Sequence, residues 1–152
     1  MTQEPENDEA SRAAAAELER LSIQGIAAVN DADWQYNKTR EAKESREHIS
    51  EDFRLVSPDN KLLNWDQAVT QWREKYERWP GMYVVVTHIS SDVQLGRGKA
   101  SVHVQSNVVG AGTSVTFTWL SQRLWRIDAK SGKWMCYEMS GMRGTQSLVG
   151  FV

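Results

Sequence analysis

Apolar residues recur along this chain at two different spacings, and the change between them divides it into a helical first half and a stranded second half. From Glu9 to Val29 the sequence is alanine-rich and free of proline, with Ala14, Leu18, Leu21, Gly25 and Val29 at helical spacing. This predicts a first helix whose stripe faces a core. Asn30-Asp31-Ala32-Asp33 is turn-like and offers an N-cap, so a second, mostly charged and solvent-facing helix is expected from about Trp34 to His48. Asp52 to Ser57 alternates polar with apolar, and Pro58-Asp59-Asn60 turns the chain into Lys61-Leu62-Leu63, which reads as a short hairpin. Asn64 then caps a third helix. Its residues Trp65, Val69, Trp72, Tyr76 and Trp79 recur at spacings of four, three, four and three before Pro80-Gly81 ends it.

Beyond that point the period becomes two. Tyr83 to Leu95, Lys99 to Val109, Ser114 to Asp128 and Lys133 to Met142 are β-rich runs separated by Gly96-Arg97-Gly98, Gly110-Ala111-Gly112 and Ala129-Lys130-Ser131-Gly132. They predict consecutive antiparallel hairpins. In the second run Ala100, Val102, Val104 and Val108 share one face and Ser101, His103, Gln105 and Asn107 the other, so one side of the sheet is buried and one is polar. Helices followed by a meander is an α+β pattern: a curved antiparallel sheet, made of a long four-stranded meander plus the short hairpin, wrapped around three N-terminal helices.

Composition narrows the class further. The 152 residues suit one domain, which buries roughly 70% of the surface its unfolded chain exposes. Residues 1 to 8 are acidic and polar and are expected to form a flexible tail, leaving 9 to 152 as the single domain. The net charge of -2, with Lys and Arg scattered, lacks the basic footprint of a nucleic-acid binder. Cys136 is the one cysteine, so neither an internal disulfide nor a zinc site is expected. The acidic start does not resemble a secretory signal, and no apolar run of roughly 18 residues suggests a membrane span, so a cytoplasmic protein is expected.

Three local pieces carry a family likeness: Asp31-Ala32-Asp33-Trp34 after the first helix, Thr87-His88-Ile89-Ser90 in the first long strand, and Gly132-Lys133-Trp134 opening the last. With the order of elements over residues 12 to 143, they resemble the nuclear transport factor 2-like (SnoaL-like) superfamily, which includes SnoaL-like cyclases, ketosteroid isomerase, scytalone dehydratase and limonene epoxide hydrolase. The resemblance implies a cone-shaped molecule with one pocket, lined by the concave sheet face and capped by the first helices. In scytalone dehydratase a first-strand histidine works with a second, later one. His88 fits the first, whereas the later position falls near Gly110 and carries none.

His88 is the first candidate for acid-base chemistry, because an imidazole titrates near neutrality. It shares a face with Val84 and Val86, while Val93 and Leu95 have the opposite parity. A β-bulge near Ser90-Ser91 would bring all five inward; without one, His88 faces outward. Glu138 is the second, since alternation from Trp134 through Cys136 puts its carboxylate on a face that begins with a tryptophan. In the other phase Met135, Tyr137 and Met139 face the core and Glu138 faces solvent. Of the seven tryptophans, Trp65, Trp72 and Trp79 read as core. Trp34 and Trp119, with Tyr36, Tyr83 and Phe117, are the candidate walls of a substrate pocket.

These features together lead to a cofactor-independent, metal-free cyclase, isomerase or dehydratase in which His88 and Glu138 move a proton on a polyketide- or terpenoid-like ligand. The alternative is a non-catalytic ligand-binding or dimerisation module of the same fold. The expected partners are a small hydrophobic or aromatic ligand and a second copy of the chain. That copy would meet the outer sheet face through His103, Gln105, Asn107, Thr116 and Thr118.

Overall fold

A computed structural model describes residues 5–112 and 116–144 of the protein. The remainder, which includes parts of the expected tail, of the third strand and of the domain's end, lies outside the described residues. Helix α1 spans Pro5–Asn30 and α2 spans Arg40–Glu47. Strands β1, Ile49–Val56, and β2, Leu62–Leu63, precede helix α3, Trp65–Arg78. Four long strands follow: β3, Tyr83–Gln94; β4, Lys99–Val109; β5, Phe117–Ile127; and β6, Trp134–Arg143. No helix among the described residues is long and apolar enough to cross a membrane.

Among the described residues, one six-stranded sheet in the order β2-β1-β6-β5-β4-β3 carries all strands. The meander β3 to β6 is antiparallel throughout, as the turn chemistry predicts. The hairpin adds to it through a parallel pairing of β1 with β6, so the sheet is mixed and not wholly antiparallel. The meander offers two free edges, β3 and β6, and β1 takes the one at β6, leaving β3 as the outer edge. The sheet curves around the helices without closing, which gives the α+β architecture expected from the sequence.

Helix α1 packs its stripe on the concave side, with Leu18 and Leu21 almost wholly buried against Val102, Val104, Phe53 and Trp125. It starts at Pro5, whose fixed φ and missing N–H suit a first helical turn. The helix thus begins within the span of residues 1 to 8 read from sequence as a tail. Helix α3 begins as predicted: the Asn64 side chain accepts from the Gln67 N–H and the Gln67 side chain accepts from the Asn64 N–H, a reciprocal capping box.

The second helix departs from expectation. It begins at Arg40, where Thr39 Oγ1 accepts from the Ala42 N–H at 2.9 Å. Asp33 instead uses both carboxylate oxygens to hold a turn, accepting from the N–H groups of Asn37 at 3.1 Å and Lys38 at 2.9 Å. A carboxylate so occupied closes a loop and does not start a helix.

Candidate functional site

The helices do not fill the concave face completely, and a cavity of about 230 Å³ remains. Its roof is the C-terminal half of α1, where Gly25 and Val29 continue the predicted stripe, together with Trp65, Trp72 and Tyr76 of α3. Its floor is the inner side of β4 to β6. Edge-to-face contacts hold the aromatic wall, with Trp65 at 5.8 Å from Trp72, 5.2 Å from Tyr36 and 5.2 Å from Phe53 between ring centroids. The α3 stripe, read from sequence as core, thus lines the cavity at Trp65 and Trp72; Trp79 does not.

Tyr36 reaches the cavity because of the Asp33 turn. Its φ of 53° lies in the left-handed region, a conformation costing a non-glycine residue on the order of 1 kcal/mol or more. The two N–H bonds to the Asp33 carboxylate, itself 2% exposed, hold that conformation. Burial raises the Tyr36 pKa well above its ordinary 10.0, so the phenol stays protonated as a hydrogen-bond donor.

Two further groups come from β5, where Phe117, Trp119, Ser121, Arg123 and Trp125 alternate onto the inner face and all line the cavity. Arg123 is only 8% exposed, and its pKa is lowered because burial penalises the cation. Its Nη1 donates to Ser121 Oγ at a long 3.4 Å, while Nε is fully buried without a hydrogen-bond partner. The indole N–H of Trp125 is a second buried donor without one. Across the strands lies Cys136, wholly buried, whose thiol burial pushes up to about 12. It is inert and small, as its sequence surroundings predict. Lys75 stands at the rim with its Nζ 5.9 Å from the Trp119 ring centroid, where desolvation lowers its pKa.

Of the expected wall residues, Tyr36, Phe117 and Trp119 line the cavity and Trp34 and Tyr83 do not. Trp34 packs edge-on against Tyr76 at 5.4 Å, bracing the turn from outside. Tyr83 is half exposed opposite Val109 on the edge strand.

The expected catalytic pair is absent from the cavity, for one geometric reason that acts twice. In β3 the register runs Val86↔Ser106 and then His88↔Gln105, so Thr87 is an extra residue. This bulge precedes the one contemplated at Ser90-Ser91. It keeps Val86 and Ile89 inward and turns His88 to solvent. In β6 the register runs Trp125↔Cys136 and then Leu124↔Glu138, so Tyr137 is extra. Cys136 and Met139 face the cavity, and Glu138 faces outward to accept from Arg54 Nε at 2.7 Å. His88 and Glu138 stand three strands apart, at least roughly 14 Å at ordinary strand spacing. No imidazole or carboxylate occurs among the described lining residues.

Arg123, like Lys75 and Trp125, is a site residue that sequence reading missed. Its signal was present: it has the same parity as Phe117, Trp119 and Trp125.

No family model matches the sequence, and no curated protein matches it. Solved structures do. Hexachlorocyclohexane dehydrochlorinase LinA-type3 from Novosphingobium barchaimii superposes with a TM-score of 0.68 at 11% identity, covering 91% of this chain and 90% of that one. A protein with a cystatin-like fold from Caulobacter vibrioides gives 0.67 at 12% identity, with 88% and 92% covered. An NTF2-like protein of unknown function from Pseudomonas putida gives 0.65 at 15%, with 86% and 87% covered. The chain therefore has the NTF2-like, cystatin-like fold that its sequence resembles, and at these identities the likeness is one of fold alone.

Proposed function

We propose that this chain is a small-molecule-binding domain that holds one compact, largely apolar ligand, of polyketide- or terpenoid-like chemistry, in its aromatic cavity. The observation that carries this reading is the lining itself. Edge-to-face indoles and buried N–H donors surround about 230 Å³, without a carboxylate or imidazole among the described lining residues to move a proton. A cavity of roughly 150 Å³ takes one benzene, so this one suits a substituted ring or two fused rings. Native mass spectrometry of protein purified from its own host tests the reading. A retained small molecule supports it, and displacement of that molecule should alter tryptophan fluorescence, since Trp65, Trp72, Trp119 and Trp125 all line the cavity. Protein that arrives empty and shows no saturable fluorescence change with cyclic ligands would count against it.

One observation favours a second, catalytic reading. The Lys75 amine at the rim has a lowered pKa and is the lining group best suited to act as a base, with Arg123 to stabilise a developing oxyanion. A cofactor-independent isomerase or lyase built this way would lose turnover in Lys75→Met while still binding ligand. The hexachlorocyclohexane dehydrochlorinase shares the fold, which is compatible with an enzyme and does not identify a reaction.

We also propose that the outer sheet face joins two copies of the chain. Leu120, directly across the strands from Met142 and Gln105, and Val85, across from Asn107, form exposed apolar islands within the polar patch. An apolar centre with a polar rim is the usual anatomy of a subunit contact.

A further inference from the structure

An isolated guanidinium inside an aromatic cavity is an uncompensated charge. Removing a cation from water without a partner costs several kcal/mol. Arg123 has no ion pair among the described residues, and its one hydrogen bond, to Ser121, is long. The neighbouring groups that feel its charge are the Tyr36 phenol and the Cys136 thiol, both protonated at neutral pH. Among the described residues, nothing on the floor of the cavity neutralises it.

The orphaned donors describe what would. Arg123 Nε and Trp125 Nε1 sit on one strand face at positions i and i+2, with Cα atoms about 7 Å apart along the strand. Both can only donate. A group that satisfies them must therefore be rich in acceptors, and to offset the guanidinium it must carry negative charge. A carboxylate meets both conditions, since it offers acceptor sites on two oxygens and matches the fork of a guanidinium. Its single charge also equals that of Arg123. A phosphate dianion would leave excess negative charge in the same apolar surroundings, which is costly.

Building on the small-molecule reading above, we propose that the ligand is a compact cyclic carboxylic acid. Its carboxylate lies against Arg123 and the Trp125 N–H, and its ring lies between the indoles of Trp65 and Trp72 and the Trp119 wall. The acid enters ring-last, anion toward the sheet, because the buried donors are on the floor and the indoles of α3 form the roof. Lys75 at the rim supplies a second positive charge that draws anions to the mouth.

The test is calorimetric titration of the full chain with cinnamic, 2-naphthoic and cyclohexanecarboxylic acids, each against its own primary amide. The amide keeps shape and removes charge. Acids are expected to bind the unaltered protein about tenfold or more tighter than their amides. In Arg123→Gln that preference should shrink to roughly twofold, chiefly through weaker binding of the acids. Trp125→Phe keeps the ring and removes the N–H; it should weaken acid binding by about threefold to tenfold, and it stands as the second test if Arg123→Gln does not fold by circular dichroism. Amides that bind as well as acids would overturn the carboxylate assignment and leave the cavity reading standing. So would an acid preference that survives in both variants. Failure of every acid and amide to bind would overturn both.

Discussion

Tyr76 donates a hydrogen bond from its phenol to the side-chain oxygen of Asn30, 2.8 Å away, and this bond joins α3 to the last residue of α1. The same oxygen accepts from the Val84 N–H at 2.9 Å, and Asn30 Nδ2 donates to the Val84 carbonyl at 2.8 Å. One amide therefore pins two helices and the edge strand around the cavity. Burial raises the Tyr76 pKa to about 12, which keeps the phenol a donor at neutral pH. Asn30→Ala is expected to cost about 2 to 3 kcal/mol, one net contribution for each of three bonds, and Tyr76→Phe about 1 kcal/mol. Urea denaturation of the two variants checks this. Equal losses in both would mean that the bonds to Val84 contribute little.

Gly141 of β6 pairs with Ser121 and lies diagonal to Trp119 on β5, and a Cβ at position 141 would lie 2.6 Å from the indole of Trp119. The glycine permits the ring to lie flat along the cavity wall. Gly141→Val must push that ring into the space a ligand needs, and overpacking of this kind costs roughly 1 to 3 kcal/mol. The expected result is a folded protein with ligand affinity reduced by about tenfold or more, accompanied by a change in tryptophan emission. Unaltered affinity would show that Trp119 does not border the ligand.

How far this fold could be read from sequence depends on which physical signal each part rests on. Strand positions were legible because alternation is a local property; the four long runs match β3 to β6 to within a few residues where they are described. The two bulges were not. Thr87 and Tyr137 are good strand formers in a row of good strand formers, and what makes each an extra residue is the register of the partner strand. One inserted residue reverses every later side chain, so alternation alone left the side of His88 and Glu138 open. The α3 stripe said which face of the helix turns inward. It could not say whether Trp65 and Trp72 meet solid packing or a cavity, since both bury an indole equally well. Arg123 was hidden by its charge, because an arginine on an alternating strand ordinarily faces water, and only its parity with Trp119 and Trp125 indicated otherwise.

A dimer through the outer sheet face makes a prediction independent of the cavity. Leu120 is 38% and Met142 60% exposed, opposite one another on β5 and β6. Leu120→Glu with Met142→Glu would place two carboxylates per chain in the contact, and their counterparts in the second copy would oppose them. Sedimentation velocity should show a dimer for the unaltered chain and a monomer for the double variant. Ligand affinity should stay within about twofold, because both side chains point away from the cavity. A monomer in both cases would remove the proposed contact.

Cys136 gives the folded state a dependence on alkaline pH. Its thiol moves from an ordinary 9.0 to about 12, chiefly because burial disfavours the thiolate, while the nearby Arg123 cation works in the opposite sense. Between those two values the unfolded chain releases a proton that the folded chain keeps. Stability from this group is therefore fully present below about pH 9 and declines as pH rises toward about 12, at up to roughly 1.4 kcal/mol per unit. Urea midpoints should be level between about pH 6 and 8 and fall between about pH 9 and 11. Cys136→Ala should start lower by about 1 kcal/mol, from the small cavity it leaves, and then fall less steeply over the alkaline range. The buried phenols of Tyr36 and Tyr76 titrate in the same sense at higher pH, so they contribute equally in both proteins and the difference in slope isolates the thiol. Parallel slopes would assign the alkaline loss to the phenols, and would mean that the Cys136 thiol ionises in the folded protein much as it does in water.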